Sequence, residues 1–282
     1  MNPYIFLFSL AFIFTLFASI QDLKKREVAN WLNFSLIAFA LAFRAFFAVQ
    51  NNSLQFLLLG VCGFAIFTAL AYAFYYGRIF AGGDAKLLMA FGIILPFENY
   101  SSLLTTSFLF IFLLFLIGAV YSLLFSFIIL AKNKNKFKSE FAKIFKKNKI
   151  VLHITLIASL VLFSLSYFSF LFLPLSLLLL TPLLLAYTKS LEKCMLVITN
   201  YSNLTEGDWI EHDIKLARGK IVKKTVHGLS RKDIQLLRKY KKSIIVKQGI
   251  PFVPAFLFTL IIMALFSLTS EFSLPALFSF LS

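Results

Sequence analysis

Charge and cysteine are what this sequence has least of. Only 14% of its 282 residues are charged, against 60% that are hydrophobic. Soluble domains carry about 25% charged residues, so an ordinary soluble domain is excluded. There are two cysteines, Cys62 in an apolar segment and Cys194 in a basic one, which suggests neither a disulfide framework nor a four-ligand zinc site. Acidic side chains are few, 12 against 28 lysines and arginines. The first apolar stretch, from about Pro3 to Ile20, lacks a basic leading segment and is followed directly by further apolar runs. It is therefore expected to stay in the mature protein instead of being removed as a signal.

Apolar runs make up most of the rest. A stretch of roughly 18 or more uncharged apolar residues reads as a bilayer-spanning helix, and candidate spans fall at 3–21, 31–49, 54–77, 85–97, 103–131, 150–168, 171–188 and 252–270. The fourth is short, which predicts a segment tilted into a thin region or partly re-entrant and buried by its neighbours. The stretch 150–188 is too long for one crossing and is divided at Ser169–Pro174, where proline would interrupt a helix. The expected fold class is an all-α polytopic membrane protein of about six to eight transmembrane helices with a small α+β cytoplasmic domain. Its expected parts are an N-terminal transmembrane core (1–131), a basic cytoplasmic loop (132–149), further transmembrane helices (150–188), the cytoplasmic domain (189–250), and a final helix with an outer tail (251–282).

Basic residues set the orientation, since cytoplasmic loops retain Lys and Arg and short outer loops lack them. With the N-terminus outside, Lys24, Lys25 and Arg26, then Arg78, then the Lys-rich stretch 132–149, then the tract 189–250 all fall on one side. The opposite loops, 50–53 and 96–102, and the tail after 270 contain neither Lys nor Arg. Arg44 alone departs, lying within the second span toward its outer end, where it could snorkel to headgroups or pair inside the bundle, and snorkelling is the expectation preferred. The net charge of +16 follows from this topology and from attraction to an anionic cytoplasmic leaflet, so the expected partners include anionic membrane lipids and exclude nucleic acid.

The first ninety residues hold three acids, Asp22, Glu27 and Asp84. Asp22 ends the first span in S-I-Q-D-L-K-K-R-E-V-A-N-W-L, and Asp84 opens the fourth in G-R-I-F-A-G-G-D-A-K-L-L-M-A-F-G. The topology puts both at the cytoplasmic face. An ionisable side chain at a span boundary is costly unless hydrated or paired and often marks a functional path. If the first and fourth spans pack together, the two carboxyls can share one proton, because like charges about 3 Å apart do not both ionise readily. The ionised partner would then take a proton from a water attacking a peptide carbonyl, while the protonated partner polarises that carbonyl and helps protonate the leaving amine. Such a pair titrates as a unit and needs no metal, cofactor or covalent intermediate. Gly82 and Gly83 would let another backbone or an extended substrate approach closely and permit unusual φ angles. Against these readings, Asp84 also suits an ordinary helix N-cap, and Asp22 a solvated acid after a membrane helix.

Together the two strings resemble the type IV prepilin peptidase superfamily, especially its archaeal prepilin and preflagellin peptidases. The first aspartate of that family follows the first span in a D-x-(K/R)-x-R-x-(V/I)-x-N segment, matched here by Asp22, Lys24, Arg26, Val28 and Asn30. The second lies in G-x-G-D, matched by Gly83 and Asp84, with Ala81 in place of the first glycine. Ala29 stands where bacterial members have proline. The resemblance is best over the first hundred residues, with a weaker echo in L-T-E-G-D-W-I (204–210) and V-K-Q-G-I-P-F-V-P-A-F (246–256). It implies an intramembrane aspartic endopeptidase with Asp22 and Asp84 catalytic and Gly82, Gly83, Lys24, Arg26 and Asn30 in support. The substrates implied are pilin-like or flagellin precursors with a short basic leader, cut at the cytoplasmic boundary of the plasma membrane. The cysteine-rich insert linked to N-methylation in bacterial members has no counterpart, so proteolysis without methyl transfer is expected.

The tract 189–250 is the only sizeable polar region. Alternating runs at Cys194–Ile198 and Lys220–Val226, with turns at Glu206-Gly207-Asp208 and Arg218-Gly219, predict strands. Residues Ser230 to Tyr240 read as a helix with Ser230 as N-cap and Asp233 completing the start. Asp208 and Asp213 fit turn and surface roles. His153, His212 and His227 lack the neighbours of a metal site, and the Lys-rich stretch 132–149 reads as a solvated, membrane-hugging face. Two rival functions are an ion- or proton-coupled transporter and a membrane scaffold. Transport normally places its acids near the midplane and often shows internal repeats; both acids here lie at one face, and no repeat is found.

Overall fold

The computed structural model describes residues 3–216, 221–225 and 228–268. The expected turn at Arg218-Gly219, His227 and the tail after 270 lie outside the described residues. The chain divides into two compact units, one of residues up to Leu123 together with those from Ile250 onward, the other Leu124–Gly249.

The first unit is helical. It holds α1 (Pro3–Lys25), α2 (Asn30–Gln50), α3 (Leu54–Tyr76), α4 (Gly82–Ile94), most of α5 (Tyr100–Lys132) and, from the far end of the chain, α11 (Val253–Leu268). α1, α2, α3 and α5 are long and apolar enough to cross a membrane. The fourth expected span is α4, only 13 residues long. Ala85, Leu87, Leu88, Ala90, Phe91, Ile93 and Ile94 of α4 are all buried, so this helix is apolar because protein surrounds it. It packs against α1, α2 and α3. The closest approach uses two glycines: a Cβ on Gly63 of α3 would fall 2.2 Å from the Gly92 carbonyl oxygen, and one on Gly92 would fall 2.5 Å from that of Gly63. Small residues are what let two membrane helices meet at backbone distance. Aromatic rings fill the layer beneath, with Phe91 stacked on Phe110 at 4.9 Å and packed against Phe256 at 5.6 Å.

Arg44 corrects an expectation. Its side chain does not snorkel: it is fully buried and forks into backbone carbonyls, with Nε donating to Ile93, Nη2 to Leu95 at 2.8 Å and Nη1 to Phe56 at 2.8 Å. The cause lies in the next segment. Pro96 keeps Leu95 extended, at φ −58° and ψ 148°, which is the conformation favoured before proline. α4 therefore ends inside the bundle with carbonyls lacking intrahelical partners, and a cation at a helix C-terminus also meets the negative end of its dipole. Phe56 covers the guanidinium at 4.5 Å, and Gly60 makes room for it, since a Cβ there would fall 2.3 Å from Arg44 Cδ.

The second unit contains α6 (Lys134–Lys147), α7 (Lys149–Leu165), α8 (Phe172–Leu179), α9 (Thr181–Cys194) and a small α+β part. α8 and α9 together, Phe172–Cys194, are long and apolar enough to span, and α6 with α7 passes the same test only as a pair bent by 90°. Among the described residues five helices thus qualify as spans, or six with the bent pair; α4 and α11 are apolar but shorter. The chain is a multi-pass helical membrane protein with a small mixed domain. A break is present but lies earlier than expected, at 166–171 instead of 169–174: α7 ends at Leu165 and α8 begins at Phe172, with Pro174 in its first turn, where proline is tolerated. The stretch 132–149, expected as a loop, is mostly the helix α6.

In the mixed part, β1 (Leu196–Thr199), β5 (Ile244–Lys247) and β2 (Trp209–Ile210) form an antiparallel sheet in the order β1-β5-β2, and β3 (Ile214–Lys215) pairs with β4 (Ile221–Val222). Cys194 ends α9 instead of opening the first strand, which starts two residues later. Val246 faces Val197 and Ile210 across the ladder and joins Leu204, Val222, Leu229 and Leu237 in a separate core. α10 (Arg231–Lys239) starts as expected: the Asp233 N–H donates to Ser230 Oγ, and the Ser230 N–H donates to Asp233 Oδ2 at 3.0 Å.

Candidate active site

Asp22 lies in the last turn of α1, whose end is fixed by the chain that follows. Arg26 takes a left-handed conformation with φ 59°, and its N–H donates to the Asp22 carbonyl at 2.9 Å. The chain then turns within a few residues into α2, and Gln21 Oε1 accepts the Ala29 N–H at 3.0 Å. The string from Asp22 to Asn30 is thus a tight corner that keeps the ends of α1 and α2 together.

Asp84 sits in the first turn of α4, but not at its cap. The N-cap position is Ala81, the helix begins at Gly82, and Asp84 is the third helical residue, its Oδ2 accepting the Ala81 N–H at 3.2 Å. A carboxylate there also meets the positive end of the helix dipole. Gly82 and Gly83 are ordinary helical residues; positive φ among the glycines is confined to Gly207 and Gly228 of those described. A Cβ on Gly83 would meet Val28 at 3.5 Å, an ordinary contact.

α1 and α4 pack on one another, which puts both aspartates in the same part of the first unit. Each is almost wholly buried, with 7% of Asp22 and 9% of Asp84 exposed, and they are near enough for the charge of one to act on the other. The Asp22 carboxylate is held from a third direction. Its Oδ2 accepts the Val253 N–H at 3.0 Å. Val253 opens α11, where first-turn N–H groups have no partner within the helix, so Asp22 caps a helix that arrives from the other end of the sequence. Phe252 and Phe256 of this segment pack on Phe80, the ring just before the A-G-G-D string, at 5.4 and 5.8 Å.

Of the supporting residues expected from the sequence, Asn30 is engaged directly: its Oδ1 accepts Lys86 Nζ at 2.6 Å, tying the start of α2 to the second turn of α4. Lys24 lies exposed at the end of α1, and Arg26 supplies the corner described above. Sequence reasoning missed Asn33, one turn beyond Asn30 and 1% exposed. Its Nδ2 reaches the Gly83 carbonyl at 3.4 Å, while its Oδ1 is buried without a hydrogen-bond partner. A polar side chain inside an apolar helix was the available signal. The backbone of Val253 was also missed. The prolines at 251 and 254 mark a helix start, but nothing local says which side chain caps it. Asp208 has a turn role, with Oδ2 accepting the Thr205 N–H at 2.8 Å, and Asp213 accepts the Lys224 N–H.

Residues 9–123 match the type IV leader peptidase family. The match contains both aspartates and stops where the first compact unit breaks. Three relatives, each a preflagellin peptidase, are similar over part of the chain. The one from Methanocaldococcus jannaschii is 29% identical over 84 residues, covering 30% of this chain and 36% of the relative. That from Methanococcus voltae is 31% identical over 91 residues, 31% of this chain and 39% of the relative. That from Methanococcus maripaludis is 26% identical over 124 residues, 41% of this chain and 54% of the relative. The chain thus spans between about a third and a half of the length of the relatives it matches. No solved structure matches it.

Proposed function

We propose that this chain is a membrane aspartic endopeptidase that removes the leader peptide of flagellin or pilin-like precursors, with Asp22 and Asp84 as its two catalytic carboxyls. The observation that carries this reading is the burial of both aspartates, at the end of α1 and the start of α4, in helices that pack on one another within the segment matching the type IV leader peptidase family. The substrate class comes from the names of the similar proteins. The basic residues on the loops next to both aspartates favour the cytoplasmic face of the plasma membrane, where a short basic leader gives way to an apolar helix.

One carboxylate takes a proton from a water as that water attacks the scissile carbonyl carbon, while the protonated partner donates to the carbonyl oxygen. The tetrahedral intermediate then collapses: the C–N bond breaks, the amine leaves with the proton held by one carboxyl, and a hydroxyl of the gem-diol gives its proton to the other as the product carboxyl forms, so the pair again shares one proton. Backbone N–H groups of Val253 and Ala81 hold the two side chains in place, so little reorganisation accompanies the proton movements. The transporter and scaffold readings have no comparable observation in their favour.

The test is cleavage of a membrane-embedded flagellin-type precursor by wild type, Asp22→Asn and Asp84→Asn at matched expression. Asparagine still accepts the Val253 or Ala81 N–H through its Oδ1, so the fold is retained while proton exchange is lost. Neither variant is expected to release leader; full cleavage by either would remove that aspartate from the chemistry.

A further inference from the structure

The proposed protease chemistry uses nothing from α6, yet α6 carries more lysines than any other helix among the described residues. Its 14 residues include six lysines and one glutamate. Such a helix does not enter hydrocarbon, where a charge at the bilayer centre costs several kcal/mol. The helix that follows is its opposite: α7 is predominantly apolar beyond Lys149 and His153 and leaves α6 at 90°. If α7 runs along the membrane normal, α6 lies in the membrane plane.

Its side chains suit that position. Phe137, Phe141 and Phe145 stack along one side with centroids 5.7 and 6.0 Å apart. Phe137 packs on Tyr187 of α9 at 5.6 Å, and Phe145 on His153 of α7 at 5.2 Å. No residue of α6 is buried, so the aromatic side keeps apolar area open. Lys134, Lys138, Lys146 and Lys147 are exposed. Behind the elbow, between α6, α7 and α9, lies a cleft of about 180 Å³ walled by Val151, Leu152, Pro182 and Leu185, with Asn148 and Lys189 also on its lining. An apolar cleft that also carries a cation and an amide, beside a row of lysines, matches an acyl chain with a negative headgroup.

We propose that α6 is an in-plane helix that binds the anionic lipid surface, and that the cleft at its elbow holds one anionic phospholipid. Amphipathic helices with basic polar faces bury their apolar side at the headgroup boundary and draw further strength from anionic lipid. Each lysine near such a surface contributes about 1 kcal/mol, or roughly fivefold in affinity.

The test is native mass spectrometry of the full-length protein in neutral detergent, titrated with dioctanoyl phosphatidylglycerol or dioctanoyl phosphatidylcholine. Wild type is expected to retain the glycerol lipid at least tenfold more tightly than the choline lipid. Lys134→Gln, Lys138→Gln, Lys146→Gln and Lys147→Gln combined should remove that preference. Neutralising four exposed lysines of the mixed domain instead (Lys223→Gln, Lys232→Gln, Lys239→Gln, Lys241→Gln) should leave it. Leu185→Trp, which fills the cleft without changing charge, should remove the tightest-bound copy and decides the matter if the quadruple α6 variant fails to fold. Equal retention of the two lipids, unchanged retention in both α6 and cleft variants, displacement by inorganic phosphate alone, or displacement by poly-glutamate at matched charge would each overturn the proposal, the last pointing to an acidic protein partner instead.

Discussion

Replacing Arg44 with alanine leaves the carbonyls of Ile93 and Leu95, at the end of α4, buried without this donor, while that of Phe56, inside α3, keeps its helical partner. Each such loss costs about 1–3 kcal/mol. Part of the total is offset because the guanidinium no longer has to be desolvated, which leaves a net loss on the order of 3 kcal/mol. A partner substitution separates this account from generic damage. Gly60→Ala places a Cβ 2.3 Å from Arg44 Cδ, an overpacking expected to cost about 1–3 kcal/mol in the wild type. With Arg44 already alanine the obstructing atom is gone, and a glycine-to-alanine change inside a helix is then favourable by up to about 1 kcal/mol. The two substitutions should therefore be strongly non-additive, with the double variant no less stable than Arg44→Ala alone. Thermal unfolding of the four proteins in one detergent measures this. Additive losses, or an Arg44→Ala protein as stable as wild type, would refute the assignment of Arg44 as the partner of the α4 carbonyls.

Gly92→Ala brings a Cβ to 2.5 Å from the Gly63 carbonyl; it should destabilise by about 1–3 kcal/mol and, because α4 must shift to relieve it, lower precursor cleavage in proteoliposomes. Lys86→Met removes the bond to Asn30 at a stability cost of about 1 kcal/mol; its effect on cleavage should exceed its effect on melting, since the bond ties α2 to α4 two residues from Asp84. Ser230→Ala removes half of the α10 capping box and should cost about 1 kcal/mol, seen as faster amide exchange in α10 with cleavage unchanged. The Lys193 hydrogen bond holds the Glu211 carboxyl below its ordinary value of 4.5. Its contribution is therefore present above that value and fades as pH falls through the depressed one, so Glu211→Gln should lower stability near neutral pH and leave it unaltered in strong acid.

The long apolar runs translate directly into α1, α2, α3 and α5, because a bilayer demands length and hydrophobicity that local sequence displays in full. The Ser230 cap was equally legible, being a bond between residues three apart. What composition hides is partnership at a distance. Arg44 read as a snorkelling cation because nothing near it in sequence is an acceptor; its partners are backbone carbonyls, two of them at the α4 end before Pro96, and backbone groups have no letter in the sequence. The 132–149 stretch read as a loop because its charge density masked a phenylalanine recurring every fourth residue. At the candidate site, the two aspartates and Asn30 were visible as a pattern, whereas Asn33 and the Val253 N–H were not. The last depends on α11 returning from the far end of the chain to the end of α1.

The proposed chemistry requires Asp22 and Asp84 to act as one unit. Purified wild type, Asp22→Asn, Asp84→Asn and the double variant should be compared for single-turnover cleavage of a flagellin-type precursor in the same liposomes. Groups that share a single proton-transfer step are grossly non-additive, so each single variant should be as inactive as the double. Residual rates in the single variants that multiply to give the double variant's rate would show two independent side chains and contradict the account.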